Sequence, residues 1–160
     1  MTATQRITPC LWFDTQAEAA AFYVSLFPNS SILSLSRYGP GRNLPEGLAM
    51  KVQFCLDGAQ FQLMNGGPMY TLNEAASLTV NCIDQAEVDR LWAALTSEGG
   101  SEGRCGWLKD RFGVSWQIVP TDLPDYLGGA DRAGAGRAMQ AMLAMKKLDI
   151  DVIAAAYRGD

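Results

Sequence analysis

Hydrophobic and polar residues change their period several times along the chain. Residues 7–13 alternate with the period of two that is typical of a strand, and the apolar positions that follow recur at helical spacing up to Phe27. Turn residues and further alternation then predict strands at residues 31–38, 50–56 and 60–64. The first part of the chain is therefore predicted to form a strand, a helix and three strands.

The same order of elements returns in the second part of the chain. A strand is predicted at residues 77–82, and a helix follows whose apolar face consists of Val88, Leu91, Trp92 and Leu95. Strands are predicted again at residues 104–108 and 114–119. The last strands of the two parts are similar, with Phe61-Gln62-Leu63 in one and Trp116-Gln117-Ile118 in the other. We interpret the chain as two βαβββ modules, residues 5–68 and 74–120, the second with shortened middle strands.

Both predicted helices begin with a capping signature. Thr15 and Glu18 lie three residues apart at the start of the first helix, as do Asp84 and Glu87 at the start of the second. In a capping box each side chain accepts a hydrogen bond from a backbone N–H group that the helix leaves without a partner. We therefore expect side-chain caps on both helices. The apolar face of the first helix is predicted to consist of Ala17, Ala20, Ala21, Val24 and Phe27.

Residues 121–160 predict a helical tail. A short turn at residues 122–127 leads into a hinge rich in glycine and alanine at residues 128–136, and a longer helix follows. The apolar residues of the tail include Met139, Met142, Leu143, Met145, Ile150, Ile153 and Tyr157. An apolar helical stripe indicates packing on the protein's own sheet, but methionine-rich faces also suit a subunit interface. Both interpretations stay open at this point.

Composition and charge exclude several classes of protein. The 160 residues suffice for one domain, and 48% hydrophobic with 19% charged residues is typical of a soluble globular chain. The net charge is -4 and no basic cluster is larger than Lys146-Lys147, so we expect no binding to nucleic acid. Neither a basic-then-apolar leader nor a membrane-spanning segment is evident, so we expect a cytoplasmic protein without membrane contacts.

The absence of histidine limits the chemistry. The chain contains no histidine, and its cysteines lie far apart without a Cys-x-x-Cys pair: Cys10, Cys55, Cys82 and Cys105. Zinc-ligand spacing is therefore absent, and we expect buried free thiols. A loop for S-adenosylmethionine is also absent, because the glycines of residues 39–41 precede no predicted helix and those of residues 128–129 follow no predicted strand. We expect neither a metal nor a cofactor.

Alternation along the strands separates two faces. The residues predicted to meet the helices are Phe61, Leu63, Leu78, Val80, Cys82, Trp116 and Ile118. The residues of the opposite parity are Gln62, Met64, Ser77, Thr79, Asn81, Ser115 and Gln117. Apolar surface mixed with amides and hydroxyls is typical of a small-molecule pocket, although a solvated sheet face has the same pattern. In a duplicated fold, Gln62 and Gln117 would occupy equivalent places and face a shared cavity.

Seven segments spread over nearly the whole chain carry a resemblance to a known family. They are residues 7–14, 21–29, 65–68, 73–74, 105–110, 113–120 and 139–147. In order and spacing they resemble the vicinal oxygen chelate superfamily of glyoxalases, bleomycin-resistance proteins and extradiol dioxygenases. The likeness is closer to its PhnB-like branch, also labelled 3-demethylubiquinone-9 3-methyltransferase-like. The resemblance implies one α+β, glyoxalase-like domain over residues 1–160, in which two βαβββ modules form a curved mixed sheet and C-terminal helices follow.

The resemblance also implies where a metal would be held. In the superfamily the ligands are His, Glu or Gln in the first and last strand of each module, which corresponds here to Ile7, Gln62, Ser77 and Gln117, or to Thr8 if the first position slips by one residue. Two amides with isoleucine and serine make a poor divalent-metal site, because hard cations favour carboxylates and borderline cations favour imidazole or thiolate. Metal-dependent chemistry is therefore not expected, and neither is methyl transfer.

Three functional hypotheses follow. The first is a homodimer that binds a small organic molecule without a metal, through Gln62, Met64, Tyr70, Ser77, Thr79, Trp107 and Gln117, with Trp12 as a further aromatic wall. The second is a lyase-, isomerase- or dioxygenase-like enzyme for a small carbonyl or phenolic compound, with Glu74 as the proton-transfer group or with a weakly held metal. The third is a protein-interaction module that uses the methionine-rich helix.

Overall fold

Two successive βαβββ segments and a helical tail make up the computed structural model, which describes residues 5–160. The first segment contains β1 (Cys10–Phe13), α1 (Ala19–Leu26), β2 (Ser31–Arg37), β3 (Ala49–Leu56) and β4 (Ala59–Asn65). The second contains β5 (Ser77–Cys82), α2 (Gln85–Thr96), β6 (Ser101–Glu102), β7 (Trp107–Lys109) and β8 (Ser115–Pro120). The tail contains α3 (Leu123–Leu127), α4 (Arg132–Ala144) and α5 (Ile150–Arg158). The predicted order of elements and the α+β class are confirmed.

Each segment builds its own four-stranded mixed sheet. The strand order is β1-β4-β3-β2 in the first sheet and β5-β8-β7-β6 in the second. In both sheets the first strand runs parallel to the last, and the other neighbours pair antiparallel. The chain divides into two compact units, one ending at Leu72 and one running from Asn73 to Asp160. The equal topologies support the interpretation as a duplication, whereas the single domain over residues 1–160 stays a prediction.

The sheet registers correct one predicted position. The glutamine of the last strand lies opposite Cys10 in the first sheet and opposite Thr79 in the second. Ser77 lies two residues before Thr79, so its counterpart in the first module is Thr8 and not Ile7. Ile7 precedes β1 and its side chain is 86% exposed. Of the two predicted alternatives, Ile7 and Thr8, the registers therefore favour Thr8.

α2 begins and packs as predicted. The Asp84 carboxylate accepts a hydrogen bond from Glu87 N at 2.8 Å, and the Glu87 carboxylate accepts one from Ile83 N at 2.9 Å. The buried residues of α2 are Val88, Leu91, Trp92 and Leu95. The predicted cap and apolar face are confirmed. They could be predicted because the residues that form them lie within the helix or directly before it.

α1 begins later than predicted and lacks a side-chain cap of its own. The helix starts at Ala19, and Glu18 before it makes no side-chain capping hydrogen bond. Instead, Asn65 Oδ1 at the end of β4 accepts a hydrogen bond from Ala17 N at 2.8 Å. The capping box predicted for Thr15 and Glu18 is therefore wrong, because a buried asparagine from another strand supplies the acceptor.

The face that α1 buries agrees with the prediction only in part: Ala17 and Ala20 are buried as predicted, and Val24 and Phe27 are partly buried. Its buried residues are Ala19, Ala20 and Tyr23, whereas the predicted Ala21 is exposed. The ring centroid of Tyr23 lies 6.5 Å from that of Phe54 on β3, and Phe54 stacks on Phe61 of β4 at 5.6 Å. Burying the large Tyr23 ring removes more apolar area from water than burying Ala21 does, so the aromatic contact sets the phase of the helix.

The tail packs on the second unit. Its buried residues Leu123, Ala138, Leu148 and Ile153 form one cluster, against which Val119 of β8 packs. Gln85 of α2 fastens the tail: its Nε2 donates to Leu148 O at 3.1 Å, and its Oε1 accepts from Ile150 N at 3.0 Å. The interpretation that the tail packs on its own module is confirmed for these residues. Met139 and Leu143 remain exposed.

The predicted hinge at residues 128–136 is too long. α4 begins at Arg132, and the Asp131 carboxylate caps it by accepting a hydrogen bond from Ala133 N at 3.0 Å. Gly134 is helical and buried, and a Cβ atom there would lie 2.7 Å from Tyr157 O of α5. The glycine therefore permits the close approach of two helices rather than a hinge. Within residues 5–160 no helix combines the length and the apolar character needed to cross a membrane.

The four cysteines are free thiols with different surroundings. Cys82 is fully buried, and its burial raises the pKa of the thiol to about 12, with the Glu87 carboxylate adding to the effect. Cys55 and Cys105 are partly buried, whereas Cys10 is exposed. The prediction of buried thiols is therefore wrong for Cys10. This residue is the first of β1, where the chain enters the sheet, and its side chain is exposed.

Candidate functional site

One face of the second sheet carries most of the residues predicted in this unit. The register of β8 places Ser115 opposite Ser77 and Gln117 opposite Thr79 on the β5 side. On the β7 side, Trp107 lies opposite Gln117. Side chains of directly opposite residues lie on the same face of a sheet. The set brought together here, called the polar face of the second sheet, consists of Ser77, Thr79, Trp107, Lys109, Ser115 and Gln117.

Gln117 is fixed in the polar face by a bond to Ser77. Its Nε2 donates a hydrogen bond to Ser77 Oγ at 2.9 Å, and both residues are half-buried. A glutamine amide has two donor hydrogens and one acceptor oxygen, so this bond uses one hydrogen-bonding position of the group. The half-buried Trp107 lies beside it on β7. An oriented amide next to an aromatic side chain is an arrangement that can hold and orient a small organic ligand.

Lys109 belongs to the polar face but was not predicted there. It lies opposite Ser115, and its side chain is 36% exposed. The strand predicted at residues 104–108 excludes Lys109, whereas β7 runs from Trp107 to Lys109. Treating residues 110–113 as the turn of a hairpin would pair Lys109 with Ser115, and the alternation would then place the lysine on this face.

Asp110 holds the turn that aligns β7 with β8. Its carboxylate is buried and accepts hydrogen bonds from Phe112 N at 2.9 Å and Val114 N at 3.0 Å. The other carboxylate oxygen accepts from Trp116 Nε1 at 2.8 Å. Asp110 is therefore a structural carboxylate that fixes the register on which the polar face depends.

Glu74 pairs with the lysine of the polar face. Its carboxylate lies 2.5 Å from Lys109 Nζ, and the Glu74 side chain is 65% exposed. The hydrogen bond from Lys109, followed by a backbone hydrogen bond and the charge of the lysine, lowers the pKa of Glu74 below its usual value. Glu74, Lys109, Trp107 and Ser115 line a common cavity of about 220 Å³. The carboxylate predicted to transfer protons is thus held as the anion of an ion pair.

The first unit places its predicted residues on the corresponding face of its own sheet. Gln62 lies opposite Gln53 of β3, and Met64 lies opposite Trp12 of β1. The rings of Trp12 and Tyr70 meet edge to face with their centroids 5.0 Å apart, and Tyr70 is 62% exposed. Gln62, Met64 and Tyr70 as ligand-binding residues stay a prediction.

The positions that correspond to metal ligands in the superfamily do not fit a divalent ion. Corrected by the registers, they are Thr8, Gln62, Ser77 and Gln117. None of these side chains carries a negative charge or an imidazole at neutral pH, and the Gln117 amide points its Nε2 at Ser77. Among residues 5–160 there is also no group of three or more His, Cys, Asp and Glu side chains that could hold a metal ion.

Cavities elsewhere have different chemistry. One of about 410 Å³ in the first unit lies beside α1 and β2 and is lined largely by apolar side chains such as Ala20, Ile32, Leu35 and Val52. One of about 590 Å³ in the tail is lined by the glycine-rich segment before α4 and by Met139. Neither is lined by a residue of the predicted site, so the polar face remains the candidate site.

Sequence and structure comparisons agree on one family. A family model described as 3-demethylubiquinone-9 3-methyltransferase matches residues 5–119. No curated protein sequence matches the chain. Among solved structures, the chain is similar to a Bacillus cereus PhnB protein described as a 3-demethylubiquinone-9 3-methyltransferase, with 34% identity and a TM-score of 0.68. That match covers 72% of this chain and 99% of the other.

More distant structures share the fold alone. Protein PA1353 from Pseudomonas aeruginosa is 22% identical, with a TM-score of 0.62 and coverage of 73% of this chain and 98% of that one. The fosfomycin resistance protein FosX from Listeria monocytogenes, complexed with manganese(II) and sulfate, is 12% identical, with a TM-score of 0.53. Coverage there is 79% of this chain and 98% of FosX. The predicted glyoxalase-like fold is confirmed.

Proposed function

Because the chain belongs to the PhnB-like 3-demethylubiquinone-9 3-methyltransferase family of the vicinal oxygen chelate superfamily, we propose that it binds a small organic molecule without a metal. The proposed binding surface is the polar face of the second sheet. The observation that carries the proposal is the hydrogen bond between Gln117 and Ser77, which holds a neutral amide at a position where the superfamily has a metal ligand. We further propose a cytoplasmic homodimer.

The chemistry of the polar face supports binding through hydrogen bonds and aromatic contact. Gln117 supplies a fixed amide, Thr79 an exposed hydroxyl beside it, and Trp107 an aromatic surface. A few placed polar groups beside apolar surface are what orients small ligands in protein pockets. In the first unit, Gln62, Met64 and Tyr70 are the residues proposed to take part.

The competing enzymatic hypothesis has less support from the site. A general base or acid at neutral pH works best with a pKa near neutrality, whereas the ion pair with Lys109 lowers the pKa of Glu74. Methyl transfer would need a glycine-rich loop between a strand and a helix, but the glycines of residues 39–41 lie between β2 and β3. Sequestration or transport of a ligand requires neither a base nor a cofactor.

Native mass spectrometry tests the proposal. The protein is isolated without a histidine tag from its own host, because the chain has no histidine and a tag would import metal ions. We expect a dimer that carries an organic adduct. The adduct should be lost from Gln117→Leu, which keeps the size of the side chain but removes the amide. It should persist in the matched control Gln140→Leu, because Gln140 is exposed on α4.

Three results would contradict the proposal. A stoichiometric divalent ion in the parent protein would support metal chemistry despite the poor ligand set. An organic adduct that survives Gln117→Leu unchanged would place the ligand elsewhere. Loss of turnover of a carbonyl or phenolic substrate in Glu74→Gln, with binding retained, would establish the enzymatic hypothesis instead.

A further inference from the structure

The Ser115 hydroxyl is buried without a hydrogen-bond partner. Ser115 is 2% exposed, and among the buried side-chain nitrogen and oxygen atoms of residues 5–160 its Oγ is the one that makes no hydrogen bond. A buried hydroxyl without a hydrogen-bond partner destabilises the folded protein, so such groups are rare and need an explanation. The neighbouring Ser77 hydroxyl accepts a hydrogen bond from Gln117 Nε2 and makes none with Ser115.

Ser115 is one of the residues that line a small cavity. Its volume is about 220 Å³, and the polar or aromatic side chains that line it are those of Glu74, Ser101, Glu102, Trp107, Lys109 and Ser115. This is below the roughly 300–1,000 Å³ of pockets that hold drug-sized ligands, so the cavity admits a small molecule or one end of a larger one. Because the Ser115 hydroxyl has no partner among residues 5–160, its hydrogen is available for a hydrogen bond to such a group.

Of the two carboxylates that line the cavity, Glu74 is the one that a ligand could displace. Glu102 is already engaged, because its carboxylate accepts from Trp92 Nε1 at 2.9 Å and from Lys146 Nζ at 3.1 Å. Lys109 is held by the carboxylate of Glu74, whose side chain is 65% exposed. Exposed ion pairs contribute little to stability because water screens them, so another carboxylate can replace Glu74 at small cost.

We propose that this cavity is a carboxylate subsite of the ligand-binding surface, an inference that rests on the proposed function. The carboxylate of a small organic acid takes the place of Glu74 on Lys109 Nζ, and its second oxygen accepts a hydrogen bond from the Ser115 hydroxyl. Trp107 contacts the apolar part of the acid. Glu74 occupies the lysine in the ligand-free protein and thereby competes with the ligand.

A single cation matches a monoanion better than a phosphate dianion. Lys109 is the one cationic side chain that lines the cavity, whereas Glu102 on the same wall adds negative charge. A carboxylate carries one charge and two acceptor oxygens, which corresponds to one ammonium and one hydroxyl. The predicted ligand class is therefore a small aromatic or apolar monocarboxylic acid.

Titration with benzoate, followed by the amide signals of residues 107–117 in NMR spectra, tests the proposal. Glu74→Gln should bind benzoate about three- to fivefold more tightly than the parent, because Lys109 no longer has an anionic competitor. Lys109→Met should weaken binding at least about tenfold, which is the scale of a charge-assisted hydrogen bond. Ser115→Ala should weaken it about fivefold without lowering Tm, since it removes a hydroxyl that has no partner.

Matched controls separate charge from general contact. Benzamide has the shape of benzoate without the charge, and its affinity should not rise in Glu74→Gln. Lys147→Met removes a lysine that pairs with Asp89 and should leave benzoate binding unchanged. The NMR spectrum of each variant also reports whether it is folded.

The outcomes distinguish this inference from the proposed function. Benzoate that fails to bind, binds no better than benzamide, or binds equally to Glu74→Gln and the parent would overturn the carboxylate subsite. If the organic adduct of the parent still depends on Gln117 in that case, the binding proposal stands and only the ligand class is wrong. If benzoate binding depends on Lys109 but the parent carries no organic adduct, the carboxylate subsite is supported and the binding proposal is not.

Discussion

At the scale of single residues, we expect the largest loss of stability from a substitution of Asp110. Its carboxylate accepts hydrogen bonds from Phe112 N, Val114 N and Trp116 Nε1 in a buried turn. Asp110→Ala would leave these donors without their acceptor in a place that water reaches poorly. We expect the variant to lower the free energy of unfolding by about 3–5 kcal/mol.

Chemical denaturation measures this difference. Asp110→Asn should fall between the parent and the alanine variant, because the amide oxygen still accepts a hydrogen bond. Asp125→Ala serves as the control, since Asp125 is exposed on α3 and its loss should change stability by no more than about 0.5 kcal/mol. A loss of less than about 1 kcal/mol in Asp110→Ala would contradict the structural role.

The residues of the polar face were predictable to different degrees. Ser77, Thr79 and Gln117 follow from alternation along two strands, because the period of two does not depend on which strand lies beside them. Lys109 depends on the exact end of β7, a strand of three residues that pattern analysis cannot delimit. The Ser115 hydroxyl was placed on the correct face, but its lack of a partner is a property of three-dimensional packing.

At the scale of elements, Asn65 joins α1 to the first sheet. The residue is fully buried, its Oδ1 accepts from Ala17 N at 2.8 Å, and its Nδ2 donates to Ala49 O at 2.9 Å. Asn65→Ala would break both bonds at once. We expect a loss of about 2–3 kcal/mol in the free energy of unfolding, together with faster hydrogen exchange at the Ala17 amide just before α1.

Hydrogen exchange at the Ala17 amide distinguishes this effect from general destabilisation. Its protection should fall more than that of amides in α2, because the Asn65 side chain bonds Ala17 and Ala49 of the first unit and no residue of α2. Asn81→Ala is the matched control, since Asn81 is exposed on β5 and should change neither stability nor exchange at Ala17. Equal loss of protection in α1 and α2 would argue against a local anchor.

The two helices show which element boundaries a sequence can predict. α2 is capped by Asp84, one residue before the helix, so its start is encoded locally. The acceptor for the Ala17 amide, two residues before α1, comes from Asn65, which is 48 residues away along the chain. Capping rules consider only neighbouring residues, so they predict a cap from Thr15 and Glu18. They cannot predict an acceptor such as Asn65 Oδ1 that comes from a distant strand.

At the scale of the whole molecule, the duplication was the most predictable feature. It follows from the repeated order of elements and the matching strands around Gln62 and Gln117, and the equal strand orders of the two sheets support it. The comparison of registers then exchanges Ile7 for Thr8. The sequence offered both residues but could not decide between them, because the choice depends on the residue at which β1 joins its sheet.

Acid should destabilise the protein through three carboxylates of the second unit. Glu74 has its pKa lowered by Lys109, Asp89 by Lys147 and then Gln85, and Glu102 by Trp92 and then Lys146. A carboxylate whose pKa is lower in the folded than in the unfolded state binds fewer protons when folded. Its contribution is therefore complete above the unfolded pKa, near 4.5 for glutamate and 3.8 for aspartate, and is lost as the pH falls through the lowered value.

Denaturation midpoints measured from about pH 7 to about pH 3 test this linkage. We expect little change in stability down to the unfolded pKa values and a decline below them, which about 1 M NaCl weakens because these groups are exposed. The double variant Lys109→Met and Lys147→Met should decline less, since Glu74 and Asp89 lose the partners that lower their pKa values most. Lys51→Met, in the first unit, should keep the slope of the parent. A double variant with an unchanged acid slope would mean that other carboxylates determine the acid sensitivity.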